Sequence, residues 1–134
     1  MSFSIIRAWD KNEIVDLYRA GGWWDMGWDS AEIEDIIKGS FIFAVAFDEN
    51  KNAVGMGRII ADKTSDGYIQ DVVVFSEYRN SGIGTRIVSA LKNLGERYGL
   101  KWIGLISAPE KENFYKRAGF TEMVNYTPML FEKK

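Results

Sequence analysis

A glycine-containing turn is the stretch of this sequence best suited to bind a ligand. It reads Arg79-Asn80-Ser81-Gly82-Ile83-Gly84-Thr85 and follows the β-branched run Val72-Val73-Val74, which predicts a buried strand. The two glycines permit a tight turn and a close approach of the backbone to a ligand. Apolar residues recur at helical spacing from Ile83 onward, so a helix begins at this turn. Its first N–H groups and about half a positive charge would face one spot, which predicts an anion site, most naturally for phosphate.

Two common phosphate-binding motifs do not fit this turn. The nucleotide loop GxxxxGK[ST] requires a lysine after the glycines, and none follows here. The dinucleotide fingerprint GxGxxG requires a third glycine at the position that Ile87 occupies. The turn is therefore either another class of phosphate site or an ordinary connection between a strand and a helix.

The composition restricts the chemistry that the chain can perform. Its 134 residues include no cysteine and no histidine. A disulfide, a thiolate nucleophile and a cysteine-based metal site are therefore excluded, and the commonest general base is missing. Any catalysis must use carboxylates, tyrosine, serine, the backbone or water, and we expect no metal. The net charge of −2 argues against a nucleic-acid partner, which would require a basic face.

Length and composition are those of a soluble globular domain. Apolar residues make up 46% of the chain and charged residues 27%. A chain of 134 residues predicts a single domain that spans residues 1–134. The sequence has neither a run of about 18 apolar residues nor a signal-peptide pattern, so we expect a cytoplasmic protein that does not enter a membrane.

The periodicity of apolar residues and the turn residues predict an order of elements: strand, two helices, three strands, helix, strand, helix, strand. The first helix opens at Asp10 and the second at Asp29 or Ser30. Pro109 starts the last helix, and Gly119 ends it. The predicted strands cover residues 2–7, 41–47, 53–61, the stretch up to Val74, 101–107, and one or two strands within 120–132.

Two motifs and this order of elements resemble one enzyme family. Arg79-Asn80-Ser81-Gly82-Ile83-Gly84 matches [R/Q]-x-x-G-x-[G/A], the acyl-CoA pyrophosphate loop of the GNAT acetyltransferases. Phe114-Tyr115-Lys116-Arg117-Ala118-Gly119-Phe120 resembles the second motif of that family. The resemblance implies an α/β fold with a mixed central sheet of about six or seven strands flanked by about four helices. It also implies transfer of an acetyl group from acetyl-CoA to a primary amine, by direct attack in a ternary complex.

The resemblance assigns the cofactor half of the site. Backbone N–H groups of Val72 and Val74 would polarise the thioester carbonyl, where pantetheine lies along the strand. The pyrophosphate would be held by the turn, with added charge from Arg79. The cofactor-binding residues implied are Val72, Val73, Val74, Arg79, Asn80, Ser81, Gly82, Ile83, Gly84 and Thr85. One departure is Ala108, which stands where many members carry an asparagine that bonds pantetheine.

Tyr115 is the general acid that the resemblance implies. Proton transfer from a phenol with a pKa of about 10 to a thiolate whose thiol has a pKa of about 8.5 is unfavourable by about 2 kcal/mol. Tyr115 therefore either has a lowered pKa or mainly donates a hydrogen bond to the thiolate.

The general base is left open between several groups. The candidates are Asp71, Glu77, Glu110, and a water held by Gln70 and Tyr68. Tyr68 and Gln70 share the face of the strand on which the family organises this chemistry. Asp71 points to the other face if the strand is regular, whereas a β-bulge would change its direction. Asp71 is equally suited to a structural role.

The acceptor side is suggested by a loop with Trp23, Trp24 and Trp28 and with two aspartates, Asp25 and Asp29. An aromatic and acidic wall suits a cationic or aromatic amine, either a small molecule or a peptide. The alternative is that the tryptophans cover the core while the aspartates cap a helix.

Two further questions stay open: whether the protein is a homodimer, and whether it is a non-catalytic acyl-CoA-binding module of the same fold.

Overall fold

The structure is a computed structural model that describes residues 2–25 and 27–132. Its described residues form five strands, four helices and a short 3-10 turn at Ser76–Tyr78. In chain order these are β1 (Ser2–Ile5), α1 (Lys11–Ala20), α2 (Glu32–Gly39), β2 (Ile42–Phe47), β3 (Ala53–Ala61), β4 (Asp66–Val74), α3 (Ile83–Arg97), β5 (Trp102–Leu105) and α4 (Glu112–Arg117).

The five strands form one mixed sheet in the order β1-β2-β3-β4-β5. The pairs from β1 to β4 are antiparallel, and β5 runs parallel to β4. The pairing between β4 and β5 starts at Asp66 and Trp102 and ends at Ile69 and Leu105. From Gln70 onward, β4 therefore has an edge with no neighbouring strand among the described residues.

The helices cover the two faces of the sheet with two separate apolar clusters. The cluster under α1 and α2 includes Leu17, Ile33, Phe43 and Met56, all fully or almost fully buried. The cluster under α3 includes Ile59, Ile69, Ile87 and Leu91. Gly55 and Gly57 lie on β3 beneath α3, where a Cβ atom would come within 3.1 and 2.9 Å of Ile87. The missing side chains thus allow α3 to pack close to the sheet.

The predicted start of α1 is confirmed. The Asp10 carboxylate oxygen Oδ1 accepts hydrogen bonds from the N–H groups of Asn12 at 2.9 Å and Glu13 at 3.2 Å. These bonds satisfy two of the backbone donors that a helix leaves free at its first turn.

Across the described residues, no helix is both long enough and apolar enough to cross a membrane.

The prediction of strands within residues 120–132 is wrong for this structure, and the sheet has five strands rather than six or seven. The segment forms a turn closed by the Tyr126 N–H and the Met123 carbonyl at 3.2 Å, and it has no ladder. Met129 and Phe131 are 89% and 88% exposed. Alternating apolar residues predict a strand, but a strand forms only where an edge pairs with it, and sequence periodicity does not specify that edge.

The last helix also begins later than predicted. α4 starts at Glu112 rather than at Pro109. Glu110 adopts a left-handed backbone conformation with φ 69°, which helical geometry does not permit. The preceding residues therefore form a turn rather than the first turn of the helix.

The close packing of α3 on β3 generates a stability prediction. We expect Gly57→Ala to lower the free energy of unfolding by about 1–3 kcal/mol, because its Cβ would overlap Ile87 and Leu91. Gly39→Ala is the matched control, since a Cβ there has no atom within 4 Å. Urea unfolding of the three proteins checks this expectation. Equal midpoints for both variants would contradict the packing role of Gly57.

Candidate functional site

The centre of the candidate site is a β-bulge in β4. Met56 pairs with Val73 and Arg58 pairs with Gln70, so β4 carries one residue more than β3 between these pairs. Within the bulge, Asp71 adopts a left-handed conformation with φ 59°. Aspartate reaches this region more readily than most residues because its short polar side chain can form local hydrogen bonds.

The bulge changes the direction in which Asp71 points. Ile69 belongs to the cluster under α3, so its neighbours Tyr68 and Gln70 face the side of α1 and α2. In a regular strand Asp71 would face α3. Instead it contacts Tyr18 of α1, so Gln70 and Asp71 face the same side. Of the two alternatives for Asp71, the structure has the β-bulge, and the bulge turns its side chain to the face of Gln70.

Asp71 is held by two donors on one carboxylate oxygen. Its Oδ2 accepts hydrogen bonds from the Tyr18 hydroxyl at 2.8 Å and from Arg58 Nε at 2.7 Å. Arg58 Nη1 also donates to Ser40 Oγ at 3.4 Å. The side chains of Arg58 and Asp71 are only 16% and 18% exposed, so the ion pair is mostly shielded from water. These charge-assisted hydrogen bonds hold the carboxylate in place.

Tyr18 stays protonated in this environment. Burial, and then the negative charge of Asp71, raise the pKa of its phenol well above the ordinary value. A neutral phenol is the form that donates a hydrogen bond, so the contact with Asp71 persists across the physiological pH range. Neither Tyr18 nor Arg58 was among the sequence candidates. They lie 53 and 13 residues from Asp71 along the chain, and no sequence motif joins the three.

The tryptophan loop continues the same surface. Tyr18 packs against Trp23, with ring centroids 6.3 Å apart, and against Trp24 at 6.2 Å. Trp24 in turn contacts Trp28 at 5.5 Å. Trp24 also packs on the buried cluster, whereas Trp23 and Trp28 are 39% and 50% exposed. The loop therefore covers the core with one ring and presents two others to solvent.

The aspartates of this loop serve local backbone structure. Asp25 Oδ1 accepts a hydrogen bond from the Gly27 N–H at 2.8 Å, and Asp29 Oδ1 accepts one from the Ala31 N–H at 2.9 Å. These contacts are local turns rather than helix caps. The N-cap of α2 is Ala31 and has no side-chain hydrogen bond, so the predicted start of this helix at Asp29 or Ser30 is wrong. Their charge is nevertheless exposed at the surface of the loop.

The turn before α3 has the geometry of an anion site. The first backbone hydrogen bond of α3 runs from the Arg86 N–H to the Gly82 carbonyl at 3.0 Å. The N–H groups of Ile83, Gly84 and Thr85 precede it and point out of the helix end. No acidic residue lies in this first turn. The arrangement favours a negatively charged ligand.

The side chains around the turn fix its shape. Arg79 Nε donates to the Val74 carbonyl at 2.9 Å and so ties the turn to the end of β4. The Ser81 hydroxyl donates to the Tyr78 carbonyl. Asn80 and Gly82 both adopt left-handed conformations, with φ 63° and 85°. The turn is therefore held from within by its own residues.

The two glycines of the turn have different structural roles. Gly82 is required because its φ is positive. Lack of space is not the reason, because a Cβ there would meet no atom within 4 Å. At Gly84, in contrast, a Cβ would lie 3.1 Å from the ring of Phe114 on α4. Gly84 thus allows α4 to pack against the start of α3. This contact brings the two sequence motifs together in space.

Tyr115 follows Phe114 on α4 and is partly buried. Its ring lies 4.9 Å from that of Phe114 and 6.4 Å from that of Phe120. Burial raises the pKa of its phenol. Of the two expectations for Tyr115, a lowered pKa is not what this structure has. A neutral phenol that donates a hydrogen bond agrees with the environment.

Four of the predicted site residues line two concave regions. Tyr68 and Tyr115 line a cavity of about 1110 Å³ between β5, α4 and the segment after α4. Trp24 and Trp28 line a smaller cleft of about 570 Å³ against the outer side of α1. Tyr18 connects Trp24 to the bulge, since it contacts both Trp24 and Asp71. The other two acidic candidates are exposed: Glu77 lies in the 3-10 turn and Glu110 in the loop before α4.

The ion pair in the bulge generates a second stability prediction. We expect Arg58→Met to lower the free energy of unfolding by about 2–4 kcal/mol, because it leaves a shielded carboxylate without its cation. The control is Lys38→Met, which breaks the exposed ion pair between Lys38 and Glu34 and should leave stability nearly unchanged. Chemical denaturation at neutral pH checks both. An Arg58→Met variant as stable as the parent would show that the bulge does not depend on this pair.

Comparison with known proteins identifies the family. The acetyltransferase (GNAT) domain family matches residues 39–122, more than half of the chain. An uncharacterized N-acetyltransferase, ycf52, of Gracilaria tenuistipitata var. liui is 27% identical over 101 residues, which are 71% of this chain. The chain spans 56% of the length of that relative.

Solved structures share the fold over nearly the whole chain. A Staphylococcus aureus protein of unknown function superimposes with a TM-score of 0.84 and 16% identity, covering 99% of this chain and 98% of its own. An aminoglycoside acetyltransferase from an uncultured soil metagenomic sample, in complex with sisomicin, has a TM-score of 0.78 and 17% identity, covering 99% and 96%. With the domain match and both sequence motifs, these comparisons show that the chain belongs to the GNAT acetyltransferase family and has its mixed α/β fold.

Proposed function

We propose that this GNAT N-acetyltransferase transfers the acetyl group of acetyl-CoA to a primary amine by direct attack in a ternary complex. The observation that carries the proposal is the edge of β4 from Gln70 onward, which no described residue pairs with, beside the N-terminus of α3. An extended ligand can form hydrogen bonds with such an edge, and the phosphates of that ligand can reach the N-terminus of α3. These are the two features that a pantetheine-linked pyrophosphate needs.

The residues at this edge fit the cofactor. Backbone groups of Val72, Val73 and Val74 would lie along the pantetheine and the thioester carbonyl. The turn from Arg79 to Thr85 would hold the pyrophosphate, with its shape fixed by Arg79 and Gly82. When bound, acetyl-CoA supplies the reactive thioester. The protein supplies the donors that polarise it.

The acceptor must lose a proton before it attacks. An unperturbed alkyl ammonium with a pKa of about 10.4 is neutral in about one molecule in 2,500 at pH 7, a deficit of about 4.6 kcal/mol. Asp71 is engaged with Arg58 and Tyr18, so we assign it a positioning role in the bulge. A water held by Gln70 and Tyr68, which face the same side of β4, is then the group that takes the proton.

Tyr115 would complete the transfer. The amine nitrogen forms a bond to the carbonyl carbon, and the C–S bond breaks with its electron pair on sulfur. The neutral phenol of Tyr115 donates a hydrogen bond or a proton to this thiolate, and the proton released by the amine restores the phenol through water. Its raised pKa keeps the phenol in the donating form.

The acceptor class must be inferred from this chain itself. The fold also occurs in an aminoglycoside acetyltransferase, at 17% identity, which shows the fold alone. The half-exposed Trp23 and Trp28 and the surface aspartates of the same loop support an amine that is cationic or aromatic.

A non-catalytic acyl-CoA-binding module is the second candidate. Ala108 favours it, because many members of the family carry an asparagine there that bonds pantetheine. Thiol release from acetyl-CoA across a panel of amines separates the two candidates. Tight CoA binding without thiol release for any amine would support the module and overturn the enzyme.

Tyr115→Phe tests the proposed proton donor. We expect kcat to fall by about 10²- to 10⁴-fold while the Kd for CoA changes little, because the phenol acts on the departing thiolate. The pKa of Tyr115 is raised, so its phenol stays protonated below about pH 10. The pH profiles of kcat for the parent and for Tyr115→Phe should therefore have the same shape below that pH. Tyr98→Phe, at the far end of α3, is the control. Equal kcat in Tyr115→Phe and the parent would remove Tyr115 from the mechanism.

Initial-rate kinetics test the order of events. The chain has no cysteine to form a thioester intermediate, so we expect the acetyl group to pass directly to the amine. Double-reciprocal plots at several amine concentrations should intersect. Parallel lines would indicate a covalent acetyl-enzyme and contradict direct attack.

A further inference from the structure

A pair of aromatic rings forms an open surface beside the proposed site. Tyr68 on β4 and Trp102 on β5 have ring centroids 5.4 Å apart and planes inclined at 52°. They lie on the face of the sheet opposite α3, and they are 40% and 36% exposed. β5 is the last strand of the sheet among the described residues, so this surface lies at its edge.

Gly104 allows the indole to lie flat against β5. It shares a face with Trp102, two residues earlier on the strand. A Cβ on Gly104 would lie 2.3 Å from the indole ring, closer than any real contact permits. The position of Trp102 therefore depends on a glycine at this point. The ring lies over the strand backbone instead of standing away from the sheet.

This aromatic surface belongs to the same cavity as Tyr115. Tyr68, Trp102, Gly104 and Tyr115 all line it. Gln70 lies two residues beyond Tyr68 on the same face, a distance of about 7 Å along a strand. A ligand that rests on the two rings therefore lies in the cavity that Tyr115 also borders, about two strand residues from Gln70.

The charges of the cavity do not favour a second cationic group on the ligand. Its described lining contains three lysines and three glutamates: Lys92, Lys101, Lys116, Glu96, Glu112 and Glu122. The charges balance, so a distal ammonium would find no net negative field. Apolar side chains such as Ile106 and Met123 also line the cavity. An uncharged aromatic group suits this environment best.

We propose that Tyr68, Trp102 and Gly104 form the binding surface for an aromatic ring of the acceptor, which is therefore an arylalkylamine. The inference rests on the proposed function and names the substrate class of that same site. The ring of the acceptor stacks on the tilted pair, and its short alkyl chain carries the amine toward Gln70. A purely structural role for the aromatic pair would give no preference among amines.

The experiment compares 2-phenylethylamine with propylamine and 1,4-diaminobutane. For the parent protein we expect kcat/KM to be highest for 2-phenylethylamine, by on the order of 10- to 100-fold over propylamine. Trp102→Ala should remove most of this preference, because kcat/KM should fall far more for 2-phenylethylamine than for propylamine. Gly104→Ala, which displaces the indole without deleting it, should do the same. Tyr98→Ala, an exposed aromatic outside the cavity, is the control.

Calorimetric binding of 2-phenylethylamine to the CoA-saturated protein gives a readout that does not need turnover. We expect binding in the parent and a loss of at least about tenfold in Trp102→Ala. Equal rates for 2-phenylethylamine and propylamine, a preference for 1,4-diaminobutane, or equal binding by parent and Trp102→Ala would overturn this proposal. Thiol release with propylamine would meanwhile leave the proposed function standing. Ring binding that depends on Trp102, with no thiol release from any amine, would refute the enzyme and retain the aromatic site.

Discussion

The ion pair between Arg58 and Asp71 lies at the β-bulge, where the regular pairing of β3 with β4 is interrupted. One additional residue in β4 produces the bulge, and the bulge requires Asp71 to adopt a left-handed conformation. Such a conformation persists only where surrounding contacts support it. Arg58 and Tyr18 supply these contacts, one from the neighbouring strand and one from α1. The direction of Asp71 thus depends on both a helix and a strand.

The strands β4 and β5 separate just before this bulge. Their pairing ends at Ile69, one residue before Gln70, and beyond it β4 pairs only with β3 among the described residues. The start of α3 then follows the end of β4, and Arg79 joins the two by a hydrogen bond to Val74. The free strand edge and the free helix end are therefore linked by a direct hydrogen bond. Gly84 adds α4 to this connection, because a Cβ at that position would crowd the ring of Phe114.

Sequence reasoning succeeded where the deciding interactions are local. The cap at Asp10, the tight turn at Gly82 and the helical repeat from Ile83 each depend on a few adjacent residues, and each agrees with the structure. It failed where partners are distant. The residues near Arg58 do not predict its ion pair with Asp71, and those near Gly104 do not predict its contact with Trp102. The pattern after Gly119 likewise does not show whether a partner strand is present. The bulge itself was visible only as an alternative, because one additional residue leaves the composition of a strand unchanged.

The protonation of the two buried tyrosines has a consequence for the reaction as a whole. Tyr18 and Tyr115 both have raised pKa values, and the chain contains no histidine. Neither phenol therefore changes its charge near neutral pH. If the protein transfers acetyl groups as proposed, the rate between pH 7 and pH 9 would follow the titration of the acceptor amine. A pH profile would then report the basicity of the acceptor and would help to identify it.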